Sequence, residues 1–180
     1  MIIFYSIVLV LCALAMLFLL RVGYWYYCQY RFVEVIKGRL FRCKAMPEAR
    51  LLKTVRAHGI RTVIDLRRPA NSGRAIEDER RCLEEEGIGY VNVPANQSPS
   101  PETVGAFLEA VQAAEPGPLL VHCRDGRGRC VFYCAIYLIE HEGLSPDQAR
   151  RKCRLVASRG TFSPTGAKGR FLLEYTPKRG

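Results

Sequence analysis

An α/β fold, with a mostly parallel central sheet flanked by helices and preceded by one transmembrane helix, is what the sequence predicts. Three observations carry the prediction. Short apolar runs alternate with longer amphipathic ones, glycine and proline punctuate the joints, and the N-terminal stretch is uncharged.

Ile2 to Leu20 contains no charged residue, and at ~1.5 Å rise per residue this length nearly crosses a ~30 Å hydrocarbon core. It reads as a transmembrane helix inside an anchor of residues 1–22. Tyr24, Trp25, Tyr26, Tyr27 and Tyr30 follow as an aromatic belt in a basic linker of residues 23–37, which puts the following domain in the cytoplasm. A cleaved secretory signal is the rival reading, but no Lys or Arg precedes the apolar stretch.

After the linker, Arg39 to Arg42 reads as a short edge strand and Pro47 to His58 as a helix capped by Gly59. Thr62 to Leu66 is a buried-strand run, followed by a polar loop with Pro69, Asn71 and Gly73. A charged helix from Ala75 to Glu86, a strand at Tyr90 to Val93 and a loop at Pro94 to Pro99 come next. Ser100-Pro101 opens a helix with Val104, Phe107, Leu108 and Val111 on one face. Pro118 to Val121 is a short strand, Cys130 to His141 a helix apolar on nearly every side, and Ser145 to Gln148 a capping box for a helix reaching Val156.

The formal charge of +10 is uneven. Residues 21–44 hold six Lys or Arg against Glu34, and residues 150–180 hold nine against Glu174, while the middle is slightly acidic. Such flanks suit an anionic surface, either lipid headgroups or nucleic acid, although no RNA-binding motif is present. The eight cysteines do not form a disulfide framework: Cys12 falls in the membrane stretch, Cys130 and Cys134 on one buried helix, and no CxxC pair exists to suggest a metal site.

The chemistry lies in His122-Cys123-Arg124-Asp125-Gly126-Arg127-Gly128-Arg129. A strand ending in Cys123, then two glycines and a buried helix, sets the sulfur at the positive end of that helix, which favours thiolate. The glycines let successive N–H groups point inward as a nest for phosphate. Arg129 begins the helix and brings a planar fork suited to two phosphate oxygens.

His122-Cys123 with Gly126 and Arg129 matches HCxxGxxR, and the chain resembles the cysteine-dependent protein tyrosine phosphatases, notably the small bacterial dual-specificity type, over residues 38–156. The resemblance implies a phosphatase domain at 38–158, followed by a basic segment at 159–180. It also implies a two-step reaction without metal or other cofactor, in which Cys123 takes the phosphoryl group, Arg129 binds it and His122 tunes the thiolate. A rhodanese loop is one residue shorter and would end on Gly128.

Two positions depart from the family. Ser or Thr usually follows the loop arginine, but Cys130 stands here, and a thiol is a weaker donor. The usual acid, an aspartate on the loop after the preceding strand, is missing from Pro94 to Pro99, and Gly128 occupies the place where some relatives carry an acidic loop residue. Asp125 and Glu102 are the substitutes in reach, Glu102 being equally explained by the helix dipole. Arg124, Asp125, Gly126, Arg127 and Gly128 are the expected phosphate-binding stretch. The CRDGRGR loop resembles that of tensin-type lipid phosphatases. The expected partners are therefore a phosphorylated lipid or protein, and the membrane through the N-terminal helix. A catalytically weak phosphate- or headgroup-binding module is the alternative.

Overall fold

The computed structural model describes residues 1–114, 116–153 and 161–177. Strands β1 (Val33–Ile36), β2 (Leu40–Lys44), β3 (Thr62–Asp65), β4 (Gly89–Asn92) and β5 (Leu119–Cys123) form one sheet in the order β1-β2-β5-β3-β4. The β1–β2 pair is antiparallel and the other three pairings are parallel. Around the sheet lie α2 (Glu48–His58), α3 (Pro69–Glu84), α4 (Pro101–Ala114), α5 (Arg129–Glu142), α6 (Pro146–Cys153) and α7 (Ala167–Glu174), after an N-terminal α1 (Ile2–Tyr27).

Strand β5 is central and buried along its whole length, because Leu-Leu-Val supplies apolar side chains to both faces. Leu119, Val121 and Cys123 pack with α4 and α5, whereas Leu120 joins Phe41, Val63 and Leu83 on the opposite face with Leu51 and Val55 of α2. Ten residues of α5 are buried, as its all-round apolar sequence requires. Helix α2 ends at Gly59, whose φ of +62° supplies the left-handed cap.

Three elements differ from expectation. The edge strand is β1, not the stretch at 39–42. Val-Glu-Val-Ile alternates and turns back through Gly38 at φ +67°, which moves β2 inward beside β5. The polar stretch at Pro69 to Gly73 is the first turn of α3, bent at Ser72, because Pro at the first helical position fits the start of a helix. Helix α7 lies in the basic C-terminal segment and buries Gly169 and Leu172. The end expected for α6, Arg154 to Val156, lies outside the described residues.

From Phe4 to Val22 the side chains of α1 are exposed, and Phe4–Trp25 is long and apolar enough to cross a membrane.

Candidate active site

The carboxyl ends of β3, β4 and β5 open on the same side, as in other parallel sheets that bind ligands at strand ends. Cys123 closes β5 and Arg129 is the first residue of α5, so the five residues between them form a loop over the helix N-terminus. No side chain caps that terminus. Gly126 has φ +66°, and a Cβ there would lie 2.8 Å from Lys44 N. Only glycine fits.

Cys123 is 2% exposed, with its Sγ 3.6 Å from Cys130 Sγ. Its thiol pKa is held well below the ordinary value, first by the hydrogen bond from Cys130. Burial opposes this, but the N–H groups of Cys130 and Gly126 and the charge of Arg129 add to the lowering. Cys130 moves the opposite way, through the same contact and its own burial, and its Sγ also reaches Cys43 O at 3.7 Å. The surroundings thus favour the thiolate form of Cys123 at the positive end of α5.

Arg129 Nη1 donates to Leu66 O at 2.7 Å and Ala95 O at 3.2 Å, so backbone beyond β3 and β4 fixes its guanidinium. Two further arginines support the loop from beneath. Arg31 Nη1 donates to Asp125 O, and Arg42 Nη1 donates to Gly126 O at 3.1 Å. Both side chains are 1% exposed. By drawing carbonyls outward, they favour N–H groups on the inner side of the loop.

Behind Cys123, His122 Nε2 lies 2.7 Å from Glu79 Oε1, a contact close enough for an ion pair though not aligned as a hydrogen bond. Arg67 donates from Nε to both Asp65 oxygens (3.0 and 2.8 Å) and from Nη2 to Glu79 Oε2 at 2.7 Å. Tyr90 Oη donates to Asp65 Oδ2 at 2.7 Å. Burial disfavours charge on His122, yet Glu79 and Asp65 outweigh it and raise its pKa. Asp65, Glu79 and His122 bring their ligand atoms within 4.8 Å of one another, a spacing that could hold a metal ion. The Arg67 guanidinium already supplies the cation to both carboxylates.

The other expected residues fall as follows. The side chains of Arg124 and Arg127 are exposed on the outer rim, Arg124 Nε lying 3.4 Å from Asp125 Oδ2, and Asp125 is half-buried. Glu102 is exposed at the start of α4, where the Ser100 hydroxyl and its own N–H hold its carboxyl below the usual range. Its place in the first turn of α4 matches a helix-start residue. The loop at 94–99 contains no carboxylate, but Lys168 of α7 donates from Nζ to Gln97 O at 2.5 Å and Gln97 Oε1 at 3.0 Å. Beside it, Thr161 Oγ1 donates to Arg127 O at 2.5 Å.

Residues 30–166 match the family described as PTP-SAK, the DSP-PTPase phosphatase domain of Swiss Army Knife proteins. The chain belongs to that family. It is a cysteine-based phosphatase of the dual-specificity type. No protein of curated function matches it in sequence. Solved structures share its fold. The active form of Tk-PTP is 21% identical with a TM-score of 0.63, the match covering 79% of this chain and 95% of that one. TpbA of P. aeruginosa is 18% identical with a TM-score of 0.59, covering 77% and 81%. PTPMT1, solved with PI(5)P, is 16% identical with a TM-score of 0.62, covering 79% and 92%.

Motif reading of this DSP-PTPase domain does not reveal Arg31, Arg42, Asp65, Arg67, Glu79 or Lys168. Asp65 inside the apolar run Thr62 to Leu66, and Arg42 beside Leu40 and Phe41, were the available signals, since a charge in a buried strand requires a partner. Lys168 carries no such signal.

Proposed function

We propose that the chain hydrolyses phosphate monoesters through a phosphocysteine on Cys123. Arg129 binds the phosphoryl oxygens and stabilises the transition state. The N–H groups of Arg124, Asp125, Gly126, Arg127 and Gly128 cradle the phosphate. The observation that carries the reading is the placement of Cys123 at the end of β5, one five-residue loop before Arg129 at the N-terminus of α5, and the lowered thiol pKa supports it. In the first step Sγ bonds to phosphorus as the bond to the leaving oxygen breaks. In the second, water attacks phosphorus and the P–S bond breaks.

We further propose that α1 is a single-pass membrane anchor with the catalytic domain on the cytoplasmic side, and that the substrate is a phospholipid or lipid-linked phosphate. The anchor is supported by an apolar helix whose side chains are exposed from Phe4 to Val22, a surface that lipid would cover. The substrate class is supported by the exposed Arg124 and Arg127 at the rim and by the basic stretch after the anchor. A phosphoprotein is the competing substrate. The fold is compatible with both, as PTPMT1 was solved with PI(5)P and a TpbA variant with phosphotyrosine.

The full chain reconstituted in vesicles should release phosphate from an aryl phosphate and lose this activity in Cys123→Ser. Activity that survives Cys123→Ser would overturn the mechanism. Vesicle binding with no phosphate release by the wild type would instead favour a headgroup-binding module. Phosphatidyl monoesters and phosphotyrosyl peptides, compared at equal concentration, decide the substrate class.

A further inference from the structure

A phosphatase that lacks a carboxylate on its 94–99 loop still has to protonate an alkoxide leaving group. The structure places a different proton carrier at that loop. Lys168, in the first turn of α7, donates to both the backbone and side-chain oxygens of Gln97. A Cβ added to Gly128 would meet Gln97 Oε1 at 3.7 Å and Lys168 Nζ at 4.0 Å. The ammonium therefore bridges the two loops that flank the phosphate position, and its surroundings include the charges of Arg129 and Cys123.

The segment carrying Lys168 is fixed there. Thr161 donates to the carbonyl of Arg127, and Phe162 is buried. A Cβ on Gly169 would lie 1.9 Å from Ser163 O, so α7 approaches the preceding turn as only glycine allows. Half-buried among these groups, Lys168 has its pKa lowered by desolvation and by Arg129, with Cys123 opposing. Its proton is easier to give up than that of a solvated lysine.

We propose that Lys168 is the catalytic proton carrier of this enzyme, protonating the leaving oxygen in the first step and deprotonating water in the second. The inference rests on the phosphocysteine reading of Cys123. As Sγ bonds to phosphorus and the P–O bond breaks, the leaving oxygen takes a proton from Lys168 Nζ, leaving a neutral amine. The attacking water then gives a proton to that amine as its oxygen bonds to phosphorus. The P–S bond breaks, thiolate and ammonium are restored, and inorganic phosphate departs. The Gln97 oxygens hold Nζ in place during both transfers.

The test is the dependence of kcat/KM on leaving group, measured with the full chain in vesicles, because kcat/KM reads only the steps up to phosphocysteine formation. In Lys168→Ala, kcat/KM for phenyl phosphate should fall by about 10²–10⁴, the usual worth of general acid catalysis. For 2,4-dinitrophenyl phosphate, whose leaving group needs no proton, it should change by less than about threefold on the same ground. That substrate also reports correct folding. Lys168→Arg keeps the charge but cannot release a proton, and should follow Lys168→Ala. Equal losses on both substrates would make Lys168 a phosphate-binding or structural residue and overturn the proposal, as would no loss on either or full rescue by arginine. Cys123→Ser run in parallel separates the two readings: if it stays active, the phosphocysteine reading fails first.

Discussion

Replacing Gly126 by alanine tests whether loop shape, and not only loop composition, produces the thiolate. Gly126 sits at φ +66°, and the new Cβ would lie 2.8 Å from Lys44 N, 3.0 Å from Lys44 Cα and 3.1 Å from Cys43 C. All three are backbone atoms at the end of β2, so no rotamer change relieves the contact. The left-handed conformation alone costs about 1–2 kcal/mol for an L-residue. Relief requires the loop to move outward by a few tenths of an ångström. That weakens the Gly126 N–H bond to Cys123 and the bond from Arg42 to Gly126 O. A hydrogen bond to a charged group contributes ~1.5–3 kcal/mol, and 1.4 kcal/mol is about tenfold, so kcat/KM on an aryl phosphate should drop by about 10–100-fold or more. Iodoacetamide alkylation of Cys123 at neutral pH should slow in parallel. Gly59→Ala is the control, because Gly59 has the same kind of backbone (φ +62°) with nothing within 4 Å of its Cβ and lies at the end of α2. It should lower Tm without altering kcat/KM. A Gly126→Ala enzyme with wild-type kcat/KM and alkylation would refute the reasoning.

Substitutions at three other positions probe the surroundings of the loop. Cys130→Ala removes the first donor to the Cys123 thiolate, so the Cys123 pKa should rise and alkylation below neutral pH should slow, whereas Cys130→Ser should keep the rate; an unchanged pH profile in the alanine variant would contradict this assignment. Glu79→Gln should destabilise the fold by about 3 kcal/mol, since it leaves Arg67 and His122 short of a buried carboxylate. His122 has a raised pKa, so its contribution is complete below its unfolded value of 6.5 and lost as pH rises through the folded value; the Tm gap between wild type and Glu79→Gln should narrow with pH, down to a residue owed to Arg67. Arg31→Met keeps length and removes the donor to Asp125 O, and should lower kcat/KM about tenfold, the worth of one such bond, while a wild-type value would show that the loop holds its shape without it.

What the sequence could reveal here follows from the range of the signal. The ends of α2 and α5, the strand before Cys123 and the positive-φ glycine of the loop are set by neighbours a few residues apart, and each was readable from Gly, Pro and apolar spacing. Strand order was less accessible. Arg39 to Arg42 reads as a short edge strand, but Arg42 is buried, its guanidinium bonded to Gly126 O 84 residues away. The contact of Lys168 with Gln97 spans 71 residues and that of Arg31 with Asp125 spans 94. A single lysine in a basic segment carries no mark of which loop it will meet. The missing acid was visible as an absence at Pro94 to Pro99, whereas the group facing that gap depends on the packing of α7.

The turn after α1 belongs to the loop as much as to the membrane helix. Tyr30 and Arg31 both have left-handed backbones, at φ +50° and +52°, each costing about 1–2 kcal/mol outside glycine. Their contacts include Lys44 N donating to Tyr30 O at 2.8 Å, Arg31 N donating to Trp25 O at 3.2 Å and the Arg31 side chain donating to Asp125 O. Lys44 N is also the atom nearest the missing Cβ of Gly126. Turn, strand end and phosphate loop therefore share one packed unit, and a shift of any one of them is felt by the other two. The strain in the turn is offset in part by the Arg31 bond, whose other end is the loop that carries Cys123. Arg31, four residues after the end of α1, thus ties this turn to the carbonyl of Asp125 through a buried side chain.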